Sequence, residues 1–151
     1  LVDYEVTNYA NAAPLIKIVY LSEREIEPDA QLLLIDEVRK RFENSEARVA
    51  FERIDTAPVS LTFERNQTQI EKRQAEALDR LAERLQKFTS LRVEITASAD
   101  TSEREDVAKE RETTIAAYLT DNWKIESERV DFKANDVQKR EATLMLISRK
   151  P

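Results

Sequence analysis

The sequence contains no glycine in its 151 residues. Glycine adopts positive φ angles more readily than any other residue, so the tight turns of this chain have to be built from other residues. Asparagine is a good substitute in turns, and it stands at four predicted turns: Asn44, Asn66, Asn122 and Asn135. The absence of glycine also excludes the glycine-rich loops that hold nucleotide phosphates.

Composition favours a globular protein of one domain, or of one domain and a small lobe. No apolar run approaches the roughly 20 residues of a membrane-spanning helix, so we expect no membrane insertion. The net charge of −6 argues against binding to nucleic acid. Because the chain has neither cysteine nor histidine, it lacks disulfides, the commonest metal ligands and the usual general base. We therefore predict no metal, no cofactor and no enzymatic activity.

Hydrophobic periodicity predicts an α+β protein. The predicted strands are residues 16–21, 48–54, 59–63, 91–97, 130–134 and 142–147. The predicted helices begin at Pro28 and at two capping-box patterns, Thr68/Glu71 and Ser102/Glu105. The first 14 residues are predicted to be irregular, because asparagine and proline interrupt them.

The segment Thr56-Ala57-Pro58 is the predicted boundary between two parts of the chain. Residues 1–57 form an N-terminal strand-helix-strand extension, and residues 58–151 form a second domain. The extension holds 7 Lys/Arg against 12 Asp/Glu, a net charge of −5, so most of the acidity lies there. Since the chain begins at Leu1 and lacks a signal-peptide pattern, we expect it to be a mature protein or an excised part of a longer one.

The stretch 91–119 is the one place where the sequence points to ligand chemistry. A strand with one buried face is followed by a polar turn and an amphipathic helix. Asp100 comes just past the strand end, and Arg111 lies between two and three turns into the helix. An acid and an arginine at such a junction are expected to face the same spot.

Asp100 and Arg111 also have ordinary structural interpretations. Asp100 is typical of a turn or a helix cap, and a helical arginine is usually a member of a surface ion pair. Arg111, however, has no acidic residue three or four positions away in the helix. It also lies on the apolar stripe between Val107 and Ile115, so we do not expect its side chain to be fully solvated.

Residues 59–148 resemble the OmpA-like peptidoglycan-binding family, which includes the peptidoglycan-associated lipoproteins and the flagellar stator anchors. The order of strands and helices fits that family, and two motifs match in part. Ala97-Ser98-Ala99-Asp100 stands for the family's Gly-aromatic-Thr-Asp turn, and Val107-Ala108-Lys109-Glu110-Arg111-Glu112 stands for its Leu-Ser-x-x-Arg-Ala helix. The resemblance implies a two-layer βαβαββ domain with the helices on one face of a mixed sheet.

The resemblance also implies a function. Family members hold the diaminopimelate of the peptidoglycan stem, so Asp100 would pair with its ammonium group and Arg111 with its carboxylate. The chain would then be a non-enzymatic, periplasmic module that anchors an outer-membrane or motor component to peptidoglycan. Arg140 stands where the family often has an arginine that braces the binding loop, although a solvated turn is the simpler interpretation there.

Several departures from the family pattern support a second hypothesis. The spacing of 11 residues between Asp100 and Arg111 is shorter than in the family, and Arg104 replaces a ligand-binding asparagine. Acids crowd the segment and would neutralise Arg111 if the fold brought one near: Glu103, Glu105, Asp106, Glu110 and Glu112. The alternative is a degenerate OmpA-like fold that serves as a structural protein–protein assembly module, with the acidic N-terminal extension as its contact surface.

Overall fold

A computed structural model of the chain describes residues 1–148. The chain forms two compact units, the first spanning Leu1–Thr56 and the second beginning at Ala57. No helix in the described range is both long enough and apolar enough to cross a membrane.

The first unit is a three-stranded sheet with one helix. Its elements are β1 (Asp3–Tyr9), β2 (Ala12–Leu21), α1 (Pro28–Arg41) and β3 (Arg48–Ile54). The strand order is β1-β2-β3, with β1 antiparallel and β3 parallel to β2. The helix α1 is the crossover that a parallel pair of strands requires.

The prediction that the first 14 residues are irregular is wrong, so the extension is ββαβ and not βαβ. A two-residue turn at Ala10 and Asn11 joins β1 to β2. Pro14 is tolerated within β2 because the register shifts there: Thr7 pairs with Leu15 and Tyr9 with Ala12, which leaves the proline unpaired. Proline is found in strands at such irregularities, since it has no N–H to donate.

As far as residue 148, the second unit is a four-stranded mixed sheet with two α-helices, a π-helical turn at Tyr118–Asn122 and a 3-10 turn at Ser127–Arg129. Its elements are β4 (Val59–Thr62), α2 (Lys72–Lys87), β5 (Leu91–Ala97), α3 (Val107–Ala117), β6 (Val130–Phe132) and β7 (Glu141–Ser148). The strand order is β4-β7-β5-β6, and only the β5/β6 pair is parallel. Both helices contact β5. The predicted α+β class and the βαβαββ order are confirmed.

Burial in β5 explains why the helices cover one face of the sheet. Every second residue from Leu91 to Ala97 is buried, and the residues between them are half-buried. On α2, Leu78, Leu81 and Leu85 provide the matching apolar stripe. This packing places the end of β5 and the turn after it at one rim of the second unit.

Both predicted helix starts in the second unit are wrong by about one turn. The capping box of α2 is formed by Glu71 and Gln74, not by Thr68 and Glu71. The helix α3 begins at Val107, because Ser102 makes its hydrogen bonds to the carboxylate of Asp100 and does not cap a helix. Residues 98–106 are therefore a turn that joins β5 to α3.

Among residues 1–148, three adopt positive φ angles: Glu43 at 50°, Asn66 at 57° and Lys124 at 55°. Asn66 was one of the four predicted turn positions, and asparagine tolerates this conformation well. Glu43 and Lys124 lie next to or near the predicted Asn44 and Asn122. Glutamate and lysine accept the left-handed region less readily than glycine does.

Candidate functional site

Arg111 is fully buried in the second unit. Its guanidinium donates hydrogen bonds to three backbone carbonyls, of Ser98 at 2.8 Å, Gln67 at 3.0 Å and Glu64 at 3.3 Å. It also stacks over the ring of Phe63, at 4.7 Å from the ring centroid. Because these groups come from the segment after β4 and the end of β5, Arg111 ties three parts of the fold together.

The charge of Arg111 is compensated by Glu103, which lies in the turn before α3. The two side chains form a bidentate pair with distances of 2.6 and 3.0 Å, and neither side chain is exposed. The Glu103 carboxylate also accepts hydrogen bonds from the backbone N–H of Asn66 at 2.7 Å and of Asp100 at 3.0 Å. Burial would raise the pKa of Glu103, but the hydrogen bonds from Arg111 and the two amides outweigh it, so the pKa is lowered.

The carboxylate of Asp100 is held by other partners. One oxygen accepts hydrogen bonds from the Ser102 N–H at 2.8 Å and from the Ser102 hydroxyl at 2.6 Å. The second oxygen accepts from Nε of Arg140 at 2.5 Å. The Ser102 hydroxyl and then Arg140 lower the pKa of Asp100 to about 2. Arg140 thus contacts the turn through Asp100, while its side chain remains 40% exposed.

The structure brings the two predicted site residues to one place but pairs their charges separately. The backbone N–H of Asp100 and the guanidinium of Arg111 both donate to Glu103. The Asp100 carboxylate faces Arg140. Among the five acids that crowd the segment, Glu103 is the one that neutralises Arg111. A direct ligand-binding role for Asp100 and Arg111 stays a prediction.

A cavity of about 510 Å³ lies beside this cluster. The turn after β5 forms one wall, and residues 135–138 form the other. The lining includes the acidic residues Asp100, Glu103, Glu105 and Asp136 and the basic residue Arg104. Two of these acids are already paired inside the protein, Asp100 with Arg140 and Glu103 with Arg111, which leaves Glu105 and Asp136 to favour a cationic group. Within residues 1–148, no cluster of three or more metal-ligating side chains is present.

Sequence reasoning did not single out Glu103, although the residue was one of the acids considered. Glu103 follows Asp100 by three residues, a spacing that is typical of a turn. A turn of this kind can direct the Glu103 side chain back toward the helix that follows. The usual search for ion pairs at helical spacing misses it, because Glu103 lies eight residues before Arg111 and outside α3.

The second unit is a two-layer α+β domain in which Glu103 and Arg111 form a buried ion pair next to the end of β5. The sequence model of the OmpA family matches residues 62–143, more than half of the chain. The chain belongs to the OmpA family, and the suspected resemblance is confirmed. No curated protein matches the chain in sequence.

Two solved structures illustrate the similarity in fold. The peptidoglycan-associated lipoprotein from Burkholderia pseudomallei is 12% identical, with a TM-score of 0.51, over 58% of this chain and 89% of that protein. The periplasmic domain of Helicobacter pylori MotB is 14% identical, with a TM-score of 0.50, over 66% of this chain and 86% of that domain. At these identities, the similarity establishes the fold alone.

Proposed function

We propose that this chain is a non-enzymatic module of the cell envelope, periplasmic and associated with the outer membrane, that serves protein–protein assembly. In this proposal its OmpA-type pocket does not hold peptidoglycan. The observation that carries the proposal is the buried bidentate pair between Glu103 and Arg111. An arginine that is already neutralised inside the protein has no charge to offer to the carboxylate of a guest.

Displacing the internal partners would be costly. A guest carboxylate would have to remove Glu103 from Arg111 and from two backbone amides, although the Glu103 and Arg111 side chains are fully buried. An isolated buried charge is strongly unfavourable, so Glu103 would need a new partner or a path to water. A guest ammonium would meet Arg140 next to Asp100, which weakens its attraction to that carboxylate.

The first unit offers a surface for a protein partner. The helix α1 contains no buried residue, and its Leu32 and Leu33 are 63% and 71% exposed. Apolar side chains of β1, β2 and α1, among them Tyr4, Ile18 and Leu34, also line a groove of about 670 Å³. Exposed apolar surface of this kind often marks an interaction site, and the net charge of −5 in residues 1–57 favours a basic partner.

Peptidoglycan binding is the second candidate, and the cavity beside Asp100 favours it. Its lining includes Glu105 and Asp136, which suit the ammonium group of diaminopimelate, and its volume of about 510 Å³ is within the range of small-molecule sites. In this candidate Asp100 would bind the ammonium and Arg111 the carboxylate, and the module would anchor an outer-membrane or motor component. Family membership and the fold shared with a peptidoglycan-associated lipoprotein are consistent with it.

Sedimentation with purified peptidoglycan sacculi at moderate salt separates the two candidates. We expect the wild-type protein to stay in the supernatant. Asp100→Ala tests the site, and Asp131→Ala is the matched control, because Asp131 is also paired with an arginine but does not line the cavity. Pelleting of the wild type that is lost in Asp100→Ala and retained in Asp131→Ala would overturn the assembly proposal in favour of the second candidate.

A further inference from the structure

The cluster around Glu103 has the form of a carboxylate-binding site with its ligand in place. We infer that Arg111 and the backbone amides of Asn66 and Asp100 form a preformed cradle for a carboxylate, which the chain fills with its own Glu103. A small free carboxylate will then occupy the cradle once the Glu103 side chain is removed. This inference rests on the proposed function and deepens it, because it states what closes the pocket.

The donors of the cradle match both oxygens of one carboxylate. One oxygen of Glu103 accepts from Arg111 at 2.6 Å and from the Asn66 N–H at 2.7 Å. The other oxygen accepts from Arg111 at 3.0 Å and from the Asp100 N–H at 3.0 Å. Two donors on each oxygen, one of them charge-assisted, form a strong and directional arrangement.

The cradle is held by contacts that do not involve the Glu103 side chain. The carbonyls of Ser98, Gln67 and Glu64 and the ring of Phe63 fix the guanidinium of Arg111. The side chain of Asn66 accepts a hydrogen bond from the Arg104 N–H at 3.0 Å. Truncating Glu103 therefore removes the ligand and leaves the donors in place.

The wild-type chain keeps free carboxylates out because its own ligand is tethered. Two residues join Glu103 to Asp100, one of the donors, so its effective concentration is on the order of millimolar or higher. A monovalent carboxylate that makes no other contact competes poorly with such a ligand. Since Glu103 belongs to the lining of the cavity beside Asp100, its truncation leaves a void that small molecules reach from that cavity.

The test measures the thermal midpoint of Glu103→Ala in sodium formate and in sodium chloride at equal ionic strength. We expect formate to raise the midpoint in proportion to the logarithm of its concentration once its site is mostly filled, by roughly 4–8 °C beyond chloride, as a ligand that binds only the folded protein would. The wild type should show no such difference. The double variant Glu103→Ala/Arg111→Met should show none either, because it lacks the guanidinium.

If Glu103→Ala is unfolded in chloride, the same titration is followed as recovery of the far-ultraviolet circular dichroism of the folded protein. Equal midpoints in formate and chloride, or no recovery, would overturn the inference. An equal formate effect in the double variant would do the same. The formate experiment and the sacculus experiment can fail independently. If the wild type pelleted with sacculi through Asp100, the proposed function would be overturned, whatever effect formate had on Glu103→Ala.

Discussion

Asp100 is the residue whose charge the turn after β5 controls most directly. Its pKa of about 2, set by the Ser102 hydroxyl and then by Arg140, lies below the value of about 3.9 for an unfolded aspartate. A folded-state pKa that is lowered contributes stability that is fully present above about pH 4 and is lost as the pH falls toward 2. The neighbours of Asp100 therefore predict a specific acid sensitivity.

We expect Asp100→Asn to lower stability at pH 6 and to flatten the loss of stability between about pH 4 and pH 2. Urea unfolding of both proteins across this pH range measures the difference. The carboxyl ¹³C shift of Asp100 should titrate near pH 2 in the wild type. A midpoint near 4 would show that Ser102 and Arg140 do not hold the carboxylate in solution.

Glu103 and Arg111 should behave as one unit. Arg111→Met leaves Glu103 buried without its cation and leaves three carbonyls without their donor, so we expect a loss of roughly 3–5 kcal/mol. Glu103→Leu should cost a similar amount. Because the double variant leaves neither charge unpaired, its loss should be smaller than the sum of the two single losses.

A double-mutant cycle by urea unfolding gives the coupling between Glu103 and Arg111, and values of about 1–3 kcal/mol are expected for residues in direct contact. The pair of Lys133 and Glu94, whose side chains are 64% and 27% exposed, is the control, since surface pairs contribute about 0–1 kcal/mol. If the losses of stability in the two single variants simply added up in the double variant, Glu103 and Arg111 would not interact as a buried ion pair.

At the scale of the secondary-structure elements, the absence of glycine has a measurable consequence. Lys124 is exposed and has a φ of 55°, in a region that costs most residues about 1 kcal/mol and glycine nothing. Lys124→Gly removes this cost, but it also removes the hydrogen bond from Lys124 Nζ to the Asp121 carbonyl at 2.7 Å and raises the entropy of the unfolded chain. We therefore expect a net stabilisation of at most about 0.5 kcal/mol. Glu76→Gly, at an exposed position inside α2, should instead destabilise by about 1 kcal/mol. Thermal or urea unfolding measures the change in stability of both variants. A loss of stability in Lys124→Gly would contradict the left-handed backbone conformation at residue 124.

Local patterns in the sequence predicted the elements of the second unit but not their ends. Period-2 and helical patterns report which face of an element is buried, and this burial largely fixes the fold. Helix starts depend on competition between caps: Ser102 looked like a cap, but a carboxylate two residues earlier, on Asp100, takes its hydrogen bonds. Arg129 was missed for a related reason, because its bonds to the carbonyls of Leu85, Phe88 and Leu91 join parts that only the tertiary fold brings together.

The sequence predicts where the candidate site lies, but it does not predict which charged residues pair within it. The order strand-turn-helix was enough to place Asp100 and Arg111 near one another. The partner of each charge depends on how a nine-residue turn folds, and the sequence contains five acids that could have reached Arg111. Geometry selected Glu103, because the N–H groups of Asn66 and Asp100 complete its hydrogen bonding.

At the scale of the whole molecule, the two units differ in how much core each one has. The first unit, Leu1–Thr56, is small, and its only helix contains no buried residue. The second unit has buried stripes on α2, α3 and β5 and contains the whole segment matched by the OmpA family. Apolar burial is the main source of folding stability, and it grows with domain size.

We therefore expect residues 58–151, expressed alone, to fold with a cooperative thermal transition, and residues 1–57 alone to be only marginally stable. Circular dichroism melting of both fragments and of the full chain is the measurement. In the 58–151 fragment, Arg111→Met should cost as much as it does in the full chain, because all contacts of Arg111 lie within that range. An unfolded 58–151 fragment, or an Arg111→Met loss that shrinks in it, would show that the second unit depends on the first for its stability.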